Sequence, residues 1–134
     1  PRLHVERPAI VDGRLESHEW LGVAPGVTLK TDATSHGDDH FFPGPTDVAW
    51  DLAGAIVEWG LDRPARERLV ATYRAASGDD PAARLDGWIF AYATCRAALA
   101  AFACQMGTDA ARLRAAYGRY VAAARAAIGR LDRG

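Results

Sequence analysis

The sequence predicts a mainly α protein with a small β-hairpin, and three observations lead there. Prolines and glycines at positions 8, 13, 22, 25, 26, 37, 43, 44 and 45 forbid a long helix in the first 45 residues. Within that stretch two β-rich runs, 19–23 and 27–31, flank Ala24-Pro25-Gly26, a hairpin signal with a glycine-containing loop. From residue 46 onward, four segments carry apolar residues at helical spacing between cap and stop signals. The 134 residues are one domain's worth, with a loop-and-hairpin segment, 1–45, and a helical segment, 46–134.

Two strands alone are marginal, so the hairpin must pack on something else. The first helix is expected to be capped by Thr46 behind Pro45 and closed by Gly60. It is apolar almost all round, as a buried central helix is, and its polar stripe is Asp47, Asp51 and Glu58. Buried carboxylates are costly without donors, so these three must find them. The second helix runs from Pro64 to just before Gly78, with Leu69, Val70 and Tyr73 on its apolar side. The third begins at Pro81; Leu85, Trp88, Ile89, Tyr92, Leu99, Phe102, Ala103 and Met106 give its core stripe, and Gly107 ends it. Thr108 is the expected cap of the fourth, whose stripe is Leu113, Tyr117, Tyr120, Val121, Ala124, Ile128 and Leu131. Short connections between such stripes imply helices packed on the central one.

Composition excludes several classes. The chain is 49% hydrophobic and 25% charged, which is globular and not disordered. A net charge of −1 argues against a nucleic-acid-coating protein. No run is expected to reach the ~18–20 apolar residues of a membrane span, and no signal peptide opens the chain. Fifteen arginines stand against the single Lys30, which reads as codon bias in the source. Acids outnumber bases by six in residues 1–80, and bases outnumber acids by five thereafter, so the polar chemistry is expected in the first part. Cys95 and Cys104, nine residues apart on one helix, are separated by ~13 Å along its axis and cannot pair. They read as reduced, buried packing residues, which suits a cytoplasmic protein.

The segment Asp47-Val48-Ala49-Trp50-Asp51-Leu52-Ala53, preceded by Phe42-Pro43-Gly44-Pro45, resembles a known family. It is similar to the start of the large buried helix in the C-terminal lobe of aminoglycoside phosphotransferase and choline kinase-like proteins, which share the protein-kinase fold. The resemblance extends over residues 9–131 and implies the helical C-terminal lobe of that fold. It implies transfer of phosphate from ATP, with Mg²⁺, to a hydroxyl of a small-molecule acceptor. Asp51 would hold the backbone of the catalytic loop. Asp12 would take the catalytic position and accept the hydroxyl's proton. Asp32, just after the second strand, would hold Mg²⁺ on the nucleotide phosphates. Helices three and four would help form the acceptor pocket; Trp59, Trp88 and Tyr92 lie in that region, though all three read first as core.

The chain departs from the family at Ile10, where a His is usual, and at Ser17, where an Asn is the second metal ligand. His18 is next door, but its nitrogen is a poor match for Mg²⁺. An alternative register takes His36-Gly37-Asp38-Asp39-His40 as the start of the catalytic loop, with Asp38 as the base. It leaves no room for a strand pair before the central helix and puts Pro43 where Asn belongs. His36, Asp38, Asp39 and His40, with His18, also suggest a metal-dependent hydrolase. A non-catalytic kinase-like binding module is the third reading. The chain has no glycine-rich phosphate cover, and Lys30 is out of place for a strand lysine paired to a helix glutamate. With Pro1 in first position, it is expected to be the C-terminal part of a longer phosphotransferase whose N-terminal lobe is missing, and inactive alone.

Overall fold

The computed structural model describes residue 5 and residues 7–31, 38–39, 42–43, 45–106 and 109–133, with 38–39 and 42–43 described by backbone only. A single 3₁₀ turn, Ser17–Glu19, leads into the hairpin β1 (Trp20–Ala24) and β2 (Val27–Lys30). Two short strands follow, β3 (Asp38–Asp39) and β4 (Phe42–Pro43), then α1 (Ala49–Glu58), α2 (Arg63–Ser77), α3 (Ala82–Met106) and α4 (Ala110–Leu131). The chain is therefore mainly helical with small antiparallel pairings, the coarse class the sequence predicts.

β1 and β2 pair with Trp20 opposite Lys30 and Leu21 opposite Leu29. Gly26 makes the turn at φ 74°, a left-handed conformation that glycine tolerates best. The N–H of Thr31 donates to the Glu19 carbonyl at 2.9 Å, carrying the pairing one step beyond the strands. Leu21, Val23, Val27 and Leu29 are exposed, so among the described residues the faces of the hairpin are not covered. Its inner end is what docks: Trp20 meets the Trp59 ring edge-to-face at 6.2 Å.

Thr46 does not cap α1. Its N–H and C=O are both engaged by Ala9 in an antiparallel bridge, at 2.9 and 2.7 Å, which holds it extended. The capping role passes to Asp47, whose carboxylate accepts the Ala49 N–H at 2.8 Å. Gly60, at φ 58°, closes α1 as expected, and the Leu61 N–H returns to the Ile56 carbonyl at 3.0 Å. Asp62 caps α2 through the Ala65 N–H, and Gly78 ends it at φ 71°. Thr108 lies outside the described residues; Asp109 caps α4.

The core forms where α1 crosses α3. Ala49, Trp50, Leu52, Ala53 and Ile56 meet Leu85, Trp88, Ile89 and Tyr92, with Val11 and Ala127 at the margins. The Trp50 ring packs edge-on to Trp88 and Tyr92. Helix α2 buries no residue and lies on this core by the half-buried Leu69, Val70 and Tyr73.

Several expected core residues are on the surface. Leu99, Phe102 and Met106 are exposed, Met106 at 76%, and so are Tyr117 and Ile128. The reason is geometric. The second half of α3 packs through Ala97 and Ala100 against Tyr120 of α4, and its other sides have nothing over them among the described residues. Trp59 is likewise exposed, while Trp88 and Tyr92 are buried. Cys95 and Cys104 are free thiols, half-buried and not fully packed away. By length and composition α3 could cross a membrane, contrary to the expectation for this sequence; in the fold its buried side faces α1 and α4.

One contact in this core is already at its limit. A Cβ on Gly54 would stand 3.1 Å from Tyr92 Cε2 and 3.3 Å from Cζ. That ring is 1% exposed, and its hydroxyl is tied to Glu58 at 2.8 Å, so it cannot retreat. Gly54→Ala would gain ~1 kcal/mol of helix propensity but lose ~1–3 kcal/mol to overpacking. The expected outcome is a net loss of about 1 kcal/mol in urea unfolding; a stabilised variant would show that Tyr92 can move.

Candidate functional site

Residues 11–16 are irregular and pair with no strand among the described residues, so their backbone groups need partners from elsewhere. Val11 anchors the segment in the core, and Gly13 turns it at φ 81°, where a side chain would be strained. Helix α1 supplies most of the partners. Asp51 accepts the Asp12 N–H on Oδ2 and the Gly13 N–H on Oδ1, each at 2.9 Å. Trp50 Nε1 donates to the Gly13 carbonyl at 3.1 Å, and Trp59 Nε1 to the Leu15 carbonyl at 2.9 Å. From α3, Arg96 pairs with the Glu16 carboxylate. The loop is thus gripped along its length by side chains of two helices. Burial pushes the Asp51 carboxyl above its ordinary value, although the two amide N–H groups pull it down.

With its backbone fixed, Asp12 presents its carboxylate to the hairpin. Oδ1 accepts the Arg14 N–H at 3.2 Å, a turn-like local bond. Oδ2 stands 3.0 Å from Lys30 Nζ, and Glu19 Oε2 stands 3.0 Å from the same nitrogen. The three side chains are only 9–12% exposed. Burial pushes the Lys30 ammonium's pKa down, but the two carboxylates outweigh it and hold the pKa above its ordinary value.

Beneath the loop, Glu58 at the end of α1 gathers side chains from the middle of α3 and α4. It accepts from Tyr92 Oη at 2.8 Å, from Tyr120 Oη at 3.0 Å and from Arg96 Nε at 3.3 Å. The Arg96 guanidinium also lies over the Tyr120 ring, 5.5 Å from its centre. Burial first, and then the Glu58 charge, raise the Tyr92 hydroxyl's pKa well above normal, so it stays a donor. On the other side, Asp47 is 1% exposed and meets Arg84 Nε at 2.7 Å. All three acids of the α1 stripe therefore have donors: Arg84 for Asp47, the loop amides for Asp51, and two tyrosines with Arg96 for Glu58.

Of the residues singled out from the sequence, Asp12 and Asp51 are brought together and His18 lies nearby. His18 is exposed, with Nε2 3.9 Å from Glu16 Oε2, and ligand atoms of Glu16, His18 and Glu19 all fall within 4.8 Å of one another. Both carboxylates of that group already face a cation, Arg96 and Lys30 respectively. Asp32, His36 and His40 lie outside the described residues. Asp38 and Asp39 are described by backbone alone, paired with Pro43 and Phe42. Ile10 is 84% exposed, and Ser17 is exposed in the 3₁₀ turn.

The sequence reading missed Lys30, Glu19 and Arg96. Lys30 had a signal, as the one lysine in a chain that otherwise uses arginine, at the inner end of a strand. Arg96 had none, being 80 residues from Glu16. A separate groove of about 610 Å³ lies between α2 and the ends of the other helices, floored by Ile56, Leu61, Val70 and Leu85; it shares no residue with this site. No protein-family model matches the chain, and no curated protein or solved structure matches it.

Proposed function

We propose that the chain is the C-terminal portion of an ATP- and Mg²⁺-dependent phosphotransferase acting on a hydroxyl of a small molecule. One observation carries this reading: a carboxylate on a buried helix, Asp51, grips the two amides that aim Asp12. A segment with no ladder of its own, held this firmly around one acid, is the preorganisation that phosphoryl transfer needs. Asp12 is the group that faces the acceptor hydroxyl and takes its proton as the new oxygen–phosphorus bond forms and the bond from the γ-phosphorus to the departing ADP breaks. Trp50, Trp59 and Arg96 keep the loop in place while it does so.

Asp12 and Glu19 offer hard oxygens, Oδ2 and Oε2, and both are engaged by the Lys30 ammonium at 3.0 Å. Asp32 would hold Mg²⁺, with exposed His18 the weaker candidate. Bound there with the nucleotide, Mg²⁺ would supply positive charge to the phosphate oxygens.

A second reading, a non-catalytic kinase-like binding module, has an observation of its own: the Asp12 carboxylate is already engaged by Lys30 and the Arg14 N–H. Calorimetric titration separates these classes. Mg·ATP binding that is lost in Asp32→Ala is the expected result, with no turnover at a kinase rate by this chain alone. A stoichiometric transition metal lost in His36→Ala or His40→Ala would replace the proposal with the hydrolase. Absence of both nucleotide and metal binding would leave the binding module.

A further inference from the structure

We propose that Lys30 contacts the phosphate chain of the nucleotide, and that Glu19 positions Lys30 for that contact; this rests on the phosphotransferase reading above. The arrangement around Lys30 is an expensive one. Lys30, Asp12 and Glu19 form an ion trio at 9–12% exposure, where desolvation cancels most of what the pairing gains. Stability alone gives little reason to keep it. Nearly buried ion clusters of this kind are where functional groups collect.

The geometry says what the charge is for. A nucleotide brings several negative charges toward Asp12, which is itself negative. A cation beside Asp12 offsets that repulsion, and Lys30 Nζ stands 3.0 Å from Asp12 Oδ2. Glu19, from the end of the 3₁₀ turn, holds the same nitrogen at 3.0 Å. When phosphate arrives, an oxygen exchanges for the Asp12 contact, Glu19 keeps the ammonium in place, and Asp12 is released toward the hydroxyl.

Residue type agrees. The chain uses arginine at every other basic position, yet here it has an ammonium. A compact charge with three donors in a tetrahedral arrangement can swap one oxygen for another, whereas a planar fork is built to stay on a single carboxylate. Lys30 lies at the end of β2, two residues before Asp32 in the sequence.

The single lysine makes the test direct. Labelling lysine with ¹³C and ¹⁵N gives one side-chain signal in the whole chain. Titration with Mg·ATP is expected to shift that signal saturably, while Mg²⁺ alone and adenosine leave it in place. Lys30→Met should weaken Mg·ATP binding about tenfold, and Glu19→Gln should weaken it while leaving circular dichroism unchanged. Mg·ATP binding seen at the amides of residues 12–19 with an unmoved lysine signal would overturn the Lys30 role alone. An equal shift with adenosine would overturn it too, because phosphate would not be the contact. No Mg·ATP binding anywhere would remove the phosphotransferase reading as well.

Discussion

Arg84→Met is expected to remove about 3–5 kcal/mol of folding stability, the largest loss of any single change considered. Arg84 on α3 reaches Asp47 ahead of α1 at 2.7 Å, Asp79 after α2 at 2.5 Å and the Asp80 carbonyl at 3.0 Å. It therefore ties three segments at one point. Without it, Asp47 keeps the Ala49 N–H but becomes a buried charge with no counter-ion. Adding Asp47→Asn should recover part of the loss, because the amide oxygen still caps α1 and no charge remains; the coupling is expected at about 1–3 kcal/mol. Urea unfolding at constant m-value is the measurement. A midpoint equal to wild type would show that water serves Asp47 as well as Arg84 does.

The same variant carries a pH signature. The Arg84 hydrogen bond, foremost, holds the Asp79 carboxyl below its ordinary 3.8, against a smaller effect of burial. The unfolded chain therefore binds this proton first as pH falls. The stabilisation from Asp79 is complete above about pH 3.8 and is lost as pH falls below it, through the depressed folded value. In Arg84→Met this part of the acid limb should flatten.

Asp51→Asn is expected to loosen the loop more than it destabilises the fold. The substitution leaves one acceptor oxygen and turns an NH₂ group toward an N–H. Each charged hydrogen bond contributes ~1.5–3 kcal/mol. Burying the Asp51 carboxylate is itself unfavourable, as its raised pKa shows, so the global loss should stay near 1–2 kcal/mol. Locally, amide exchange at Asp12 and Gly13 should speed up about tenfold or more. Unchanged exchange at those two amides would mean that Asp51 does not set the shape of the loop.

Much of this was legible in local patterns. Asp62 with Pro64, Gly78, Pro81 and Gly60 mark helix ends because caps and left-handed turns demand those residue types. An apolar helix with three acids requires three sets of donors, and all three are present. What local patterns do not carry is what lies opposite. A helical stripe shows that Leu99, Phe102 and Met106 share a region, but nothing in the spacing says whether another element covers it. Thr46 is a sound cap by type, yet a bridge to Ala9 from far upstream takes its backbone. Lys30 has no partner nearby in the sequence; its partners, 18 and 11 residues earlier in the chain, meet it only when the hairpin folds back.

The loop around Asp12 borrows its shape from residues that come later in the chain. Its holders lie 37, 38, 39, 44 and 80 positions downstream. During synthesis, then, residues 11–16 leave the ribosome with no conformation of their own. They acquire one only when α1 has emerged, and the last grip waits for α3. The order in which these residues are made is thus the reverse of the order in which they are fixed.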